Sequence, residues 1–184
     1  SGAGLHLFMR DPSSYLIGVY GHVVNADTAA GNLRNTRIGL EGEVYLGDYS
    51  VQGFIGQDEV TGLGATNRFE VYDLTVNRYL GDMTMLSIGA ERAFGRSNGS
   101  IGLEHMTSLG GSQTALFTEA SFGDNGNKIT AGVSIYFGSN GMSLKEVHRR
   151  NDPPSRLGSA ARTGYFQALT SGALNLPATP PAKP

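Results

Sequence analysis

Over most of the first 138 residues, side chains alternate between an apolar set and a set made of Glu, Arg, Ser, Thr, Gly and Tyr. A period of two is the mark of a β-strand, whose successive side chains point to opposite faces. Residues 128–137 carry it most cleanly, with Ile129, Ala131, Val133, Ile135 and Phe137 on one face and Thr130, Gly132, Ser134 and Tyr136 on the other. A soluble sandwich would offer Lys and Glu to water on its hydrophilic face. Here that face is mostly small and weakly polar, as the filled interior of a barrel requires, so the apolar face is expected outward, toward hydrocarbon.

Composition agrees with strands that meet lipid at alternate residues. Charged residues are 16% of the 184, against about 25% in typical soluble domains. Mean hydropathy is only -0.19, and no apolar run approaches the roughly 20 residues a spanning helix needs. A helical membrane protein is therefore excluded. Cys is absent, which removes disulfide frameworks, thiolate zinc sites and Cys nucleophiles together. The chain opens Ser1-Gly2-Ala3-Gly4 without Met or a basic-then-apolar leader, and so reads as a mature or trimmed product. Residues 1–138 hold 8 basic and 14 acidic side chains, while residues 139–184 hold 6 and 2. The charge therefore divides the chain into a barrel domain, 1–138, and a basic, Pro/Ala-rich tail, 139–184.

Eight strand-like segments follow in turn. In residues 14–25, Tyr15, Ile17, Val19 and Val23 oppose Gly18, Tyr20 and His22; in residues 36–47, Ile38, Leu40, Val44 and Leu46 oppose Arg37, Gly39, Glu41, Glu43 and Tyr45. Gly47-Asp48 is expected to make a two-residue hairpin that keeps Tyr49, Val51, Gly53 and Ile55 on the apolar face. Residues 69–80 and 84–93 continue the pattern, and keeping Glu91 inside demands a bulge or a longer turn near Asp82. Residues 100–106, 115–122 and 128–137 complete the set, with residues 26–35 and 59–68 expected as surface loops. Leu5, Leu7 and Met9 form a shorter ninth segment, assigned as a partial strand because single-chain bacterial barrels prefer even counts.

Eight strands leave an interior just wide enough for side chains to fill it. Arg37, Glu41, Glu43, Glu91, Glu104 and Glu119 are thus expected in a lumen network centred on Arg37, because isolated buried charges are expensive. The expected role of this network is structural, ordering the lumen, in preference to a proton or ion path. Tyr15, Tyr45, Tyr49, Tyr79, Phe94, Phe122 and Phe137 sit near segment ends, where rings favour a membrane interface.

On these features residues 14–138 resemble the small bacterial outer-membrane β-barrel class that includes OmpA-like and OmpX-like proteins. The resemblance implies an all-β, up-and-down antiparallel transmembrane barrel of about eight strands in the outer membrane of a Gram-negative bacterium. It further implies contact with outer-membrane lipid and lipopolysaccharide, and a final strand ending at the inner rim, which leaves the tail in the periplasm. In the tail, Ser143-Leu144-Lys145-Glu146 is a capping-box pattern that opens a short helix through Arg150 and stops at Asp152-Pro153-Pro154. Docking helix, lumen plug and loose end are all open to it. Lys145, Arg149, Arg150, Tyr165 and Phe166 are its candidate contacts with a periplasmic protein or with peptidoglycan.

The function expected is non-enzymatic, structural or interaction-based, with a subunit of an envelope assembly as one form of that role. One alternative is a lipid A-modifying hydrolase. Barrels of the resembled class include lipid A deacylases, which the spacing of His105, Thr107 and Glu119 echoes, with Thr where that family has Ser and Ser108 one place away. The other alternative is a soluble lipocalin-like binder of small ligands. His6 and His22 share the inner face without a spaced carboxylate cluster, so no metal and no cofactor is expected. No basic aromatic stripe marks a nucleic-acid partner.

Overall fold

The computed structural model describes residues 1–28, 31–62, 64–109, 112–124, 126–139, 141–151 and 153. Nine strands follow one another: β1 (Gly2–Asp11), β2 (Tyr15–Thr28), β3 (Gly31–Leu46), β4 (Tyr49–Gly62), β5 (Ala65–Leu80), β6 (Thr84–Ala93), β7 (Arg96–Leu109), β8 (Ser112–Gly123) and β9 (Lys128–Tyr136). One helix, α1 (Leu144–Arg150), comes after them. Each strand pairs antiparallel with its sequence neighbour, so the sheet is an up-and-down meander that curls into a half-barrel. Among the described residues no ladder joins β1 to β9.

Among the described residues the strands number nine, one more than the eight assigned, because the partial first segment is a full strand. All ten residues of β1 pair with residues 15–24 of β2. Three apolar residues before Asp11-Pro12 give a weak alternation, but register is fixed at the turn, where the Ser13 amide and hydroxyl both donate to Asp11 Oδ1 at 2.9 and 2.7 Å. Within the expected loops, residues 26–28, 31–35, 59–62 and 65–68 are strand, because pairing runs on to Thr28↔Gly31 and Gly62↔Ala65. There the convex side chains turn polar (Asn32, Arg34, Glu59, Arg68) while the ladder continues, so polarity imitated a loop.

Turn chemistry explains the registers on the other rim. Gly47 takes φ 60° between Leu46 and Tyr49, the first position of a hairpin turn whose twist matches its strands. The next hairpin uses three residues, since Leu80 pairs with Thr84, and Glu91 stays on the concave side. Phe94 is the one non-glycine at positive φ (56°) among the described residues. Its left-handed backbone costs about 1–2 kcal/mol, offset by burial of the ring edge-on to Phe69 at 5.7 Å.

Two buried clusters fill the concave side. Tyr20, Leu33, Phe54, Val60, Val71, Ala93 and Phe94 pack toward the rim that carries the β2–β3 and β4–β5 turns. Tyr79, Met106 and Ala115 pack at the opposite rim against Leu144 and Val147 of α1. The Phe54 ring lies over Gly39 and Gly56, where an added Cβ would come within 2.5 and 2.8 Å of it. The convex side carries the large exposed apolar residues, among them Leu7, Ile17, Ile38, Leu40, Ile55, Leu74, Ile88, Ile101, Leu116 and Val133. Of the seven aromatic residues noted at segment ends, Tyr15, Tyr49, Phe122 and Phe137 are exposed. Tyr45, Tyr79 and Phe94 are buried in the concave side, so the expected girdle is only partial.

Candidate functional site

The six residues expected in a lumen network all project onto the concave face. Arg37 is fully buried on β3, and its Nε and Nη2 donate to Asp58 Oδ1 and Oδ2 of β4 at 2.8 and 2.7 Å. Fork-on-fork pairing of this kind suits a planar guanidinium. Glu91 of β6 approaches the same guanidinium at 3.8 Å, and the Phe54 and Phe94 rings lie 5.9 Å from it. Asn35 extends the network, donating to Asp58 at 3.4 Å and meeting His22 Nε2 at 2.8 Å, while His22 Nδ1 meets the Tyr20 hydroxyl at 2.9 Å.

The other carboxylates form separate contacts. Glu41 meets His6 Nδ1 at 2.8 Å, from β3 to β1, and Glu43 accepts from Gln52 at 3.1 Å. Glu104 accepts the Tyr136 hydroxyl at 2.7 Å and lies 3.5 Å from His148 of α1. Glu119 lines a cavity of about 450 Å³ together with Asp73, Asn77, Ser87, Glu91 and Ser100, closed at one end by Val147, His148 and Asn151.

The helix acts as a stopper at that rim. Ser143 and Glu146 form the full capping box, with Ser143 Oγ accepting from the Glu146 amide and the Glu146 carboxylate accepting from the Ser143 amide. Leu144 and Val147, one turn apart, point into the barrel and are completely buried. Two side chains expected to reach an external partner are held by the chain itself. Lys145 pairs with Asp48 at 2.8 Å, and Arg149 donates to the Gly47 and Tyr49 carbonyls at 2.9 Å each while stacking 4.8 Å over the Tyr45 ring. Arg150 is exposed, and Tyr165 and Phe166 lie outside the described residues. Hydrogen bonding to Lys145 holds the Asp48 carboxyl below the usual range. The Ser143 amide does the same for Glu146.

Residues 139 and 141–151 therefore pack with the barrel, across the boundary drawn at 138.

The hydrolase constellation does not assemble. His105 is exposed on the convex face and bonds Thr84 Oγ1 at 2.9 Å, whereas Glu119 sits on the concave face of β8. Thr107 shares the face of His105 by strand parity, and the Ser108 side chain lies outside the described residues. A sheet separates the base from the carboxylate that would orient it, so proton relay between them has no path. His6 and His22 do share the concave face, each with its own partner, and no group of three or more His, Asp or Glu gathers around a metal-sized site among the described residues.

Sequence reasoning missed Asn35, Asp58 and His148, and named Tyr79 and Tyr136 without placing them in a shared site. Asp58 fell next to the expected loop at 59–68. Its signal was parity: Ser50, Gln52, Phe54 and Gly56 point inward, and Asp58 continues the series. His148 contacts both the Tyr79 and Tyr136 hydroxyls, at 3.2 and 2.9 Å. Only the return of α1 to the rim brings these three together.

No family model, curated protein or solved structure matches the chain.

Proposed function

We propose that the protein is a non-enzymatic outer-membrane β-barrel of a Gram-negative bacterium, with its convex face in lipid and lipopolysaccharide and a structural or interaction role in the envelope. The inverted polarity of the sheet carries this reading. Charged pairs are buried on the concave side, while 27 large hydrophobic side chains are exposed. Even at about 50 Å² each they exceed 1,000 Å², against the few hundred Å² a soluble monomer tolerates.

The dimensions support it as well. Convex apolar positions run nine residues on β3 (Ile38 to Leu46) and on β5 (Tyr72 to Leu80), and again from Ile129 to Phe137 along β9 and just past it. A tilted membrane-crossing strand uses about 9–11. Arg78 interrupts the belt of β5 close to its rim, where it lies 5.7 Å from the Tyr49 ring, a position from which a long side chain reaches headgroups. The rim stoppered by α1 is the periplasmic one on this reading, and the longer polar strand ends at the β2–β3 and β4–β5 turns face outward.

A soluble ligand binder is the weaker reading: the cavity of about 450 Å³ has apolar walls at Met85 and Phe117 beside Asp73, Glu91, Glu104 and Glu119, but that role leaves the 27 exposed hydrophobic side chains without a partner. Heat-modifiability tests the proposal. Detergent-extracted protein is expected to migrate differently on SDS gels before and after boiling. A monodisperse species purified without detergent overturns the reading.

A further inference from the structure

We propose that Arg78 and Lys145 form a binding site for the phosphate of an anionic phospholipid, at the end of the convex belt beside α1. The inference rests on the lipid reading and deepens it, since it gives one headgroup class a place on the barrel.

Arg78 is a cation set among hydrocarbon side chains. It is exposed on the convex face of β5, directly opposite Tyr49 of β4 and Leu86 of β6, with Val76 and Leu80 two residues away on the same face. All four of these neighbours are themselves exposed. The guanidinium lies 5.7 Å from the Tyr49 ring, and among the described residues no hydrogen bond or ion pair engages it. Its five N–H donors are therefore unspent. A cation on a lipid-facing surface is costly unless a headgroup anion comes within its reach.

The helix brings a second cation to the same place, and Asp48 is the hinge between them. Its carbonyl accepts the amide of Tyr79, the residue after Arg78, at 2.8 Å, while its carboxylate takes Lys145 Nζ at 2.8 Å. Arg149 closes on the same hairpin through the Gly47 and Tyr49 carbonyls. The Asp48 carboxyl feels all three cations, held down first by the Lys145 bond and then by the charges of Arg149 and Arg78. Along α1 and the β3–β4 and β5–β6 turns, the cations Arg78, Lys145, Arg149 and Arg150 face the carboxylates Asp48, Asp82 and Glu146, and Glu146 is spent on the Ser143 cap. The patch keeps a positive excess.

Position then selects the ligand. A phosphate accepts a guanidinium fork on two oxygens and leaves another for the Lys145 ammonium, which keeps two donors beyond its bond to Asp48. Acyl chains on the same molecule cover Val44, Leu46 and Val76, which are exposed on the adjoining convex face. An acidic peptide would meet the charge but leave those apolar side chains bare. Because Arg78 belongs to the sheet and Lys145 to the helix, one phosphate bridging them ties the stopper to the barrel.

Native mass spectrometry of the full-length protein, released from nanodiscs of equal parts phosphatidylglycerol and phosphatidylcholine, reads which lipid it keeps. Retention of phosphatidylglycerol should exceed that of phosphatidylcholine about fivefold, the factor that one cation near an anionic headgroup supplies. Arg78→Gln should bring the ratio close to unity and Lys145→Gln should lower it, whereas Arg92→Gln, at an exposed convex arginine by the opposite rim, should leave it unchanged. Trypsin should cut the wild-type protein after Arg149 and Arg150 more slowly in these nanodiscs than in phosphatidylcholine alone, and Arg78→Gln should abolish the difference.

A wild-type ratio near unity, a ratio that Arg78→Gln leaves intact, or an equal loss with Arg92→Gln overturns the site. So does inorganic phosphate in a neutral detergent that slows trypsin as well as the lipid does, since the ligand would then be a soluble anion. Heat-modifiability shows that each variant is folded. A heat-modifiable protein without lipid preference sinks the site alone, while a species monodisperse without detergent sinks the lipid reading and the site with it.

Discussion

Replacing Asp58 with Ala strips the buried Arg37 guanidinium of its bidentate partner. Both side chains are essentially inaccessible, at 1% and 0% exposure, and the carboxylate receives Nε and Nη2 at 2.8 and 2.7 Å. Removing one member of such a pair costs about 3–5 kcal/mol, because the remaining charge stays desolvated. Glu91, at 3.8 Å, supplies part of the lost attraction, which places the expected loss at the lower end, about 3 kcal/mol. With a urea slope of about 2 kcal/mol/M, the unfolding midpoint should fall by about 1.5 M. The double substitution Arg37→Met with Asp58→Leu should recover most of that, since neither charge then has to leave water. Urea titration in micelles, followed by the gel mobility of unboiled samples, measures both. An unchanged midpoint for Asp58→Ala, or a double variant no more stable than the single one, would refute the view that this pair governs the lumen.

Ile38→Arg, in the convex belt, should cost about 2–4 kcal/mol in lipid; a nearly unchanged unfolding midpoint in vesicles would count against hydrocarbon contact. Leu144→Ala should cost about 2–5 kcal/mol and expose His148 and the cavity to solvent, read as faster hydrogen exchange of the β7 and β8 amides near Met106 and Ala115; unchanged exchange would deny α1 its role as a stopper. Asp48 and Glu146 are held below their ordinary values, so their contributions are complete above roughly pH 5 and are lost as pH falls through the depressed values. Detachment of α1 should therefore begin only below that point, as measured by proteolysis after Arg149 and Arg150, and detachment on raising the pH from 5 to 8 would contradict the sign. His105→Ala should leave lipid A profiles of an overexpressing strain unchanged, because its partner is Thr84 and not Glu119.

Much of the local structure was legible in the sequence because it depends on neighbours along the chain. Side-chain parity placed Arg37, Glu41, Glu43, Glu91, Glu104 and Glu119 on one face, and the Ser143–Glu146 spacing located the capping box. The demand that Glu91 stay inside required the longer turn after Leu80. Where the reading failed, composition had stood in for pairing. β1 was too short in apolar residues to count as a full strand, and the polar ends of β2 to β5 read as loops although their ladders continue. Seven aromatics near segment ends divided between the two faces by parity, a signal available in the sequence but outweighed by position.

By itself the sequence determined which face the strand side chains take and where the chain turns at Gly47-Asp48 and near Asp82, since both follow from a repeat of two and from dihedral preferences a few residues long. The curl of the sheet decided the rest. Only curvature brings Glu91 of the sixth strand to Arg37 of the third. Only the return of α1 to the rim sets His148 between Tyr79 and Tyr136. Such contacts join residues 50 to 70 positions apart, as between Arg37 and Glu91 or Tyr79 and His148, and no local pattern encodes them.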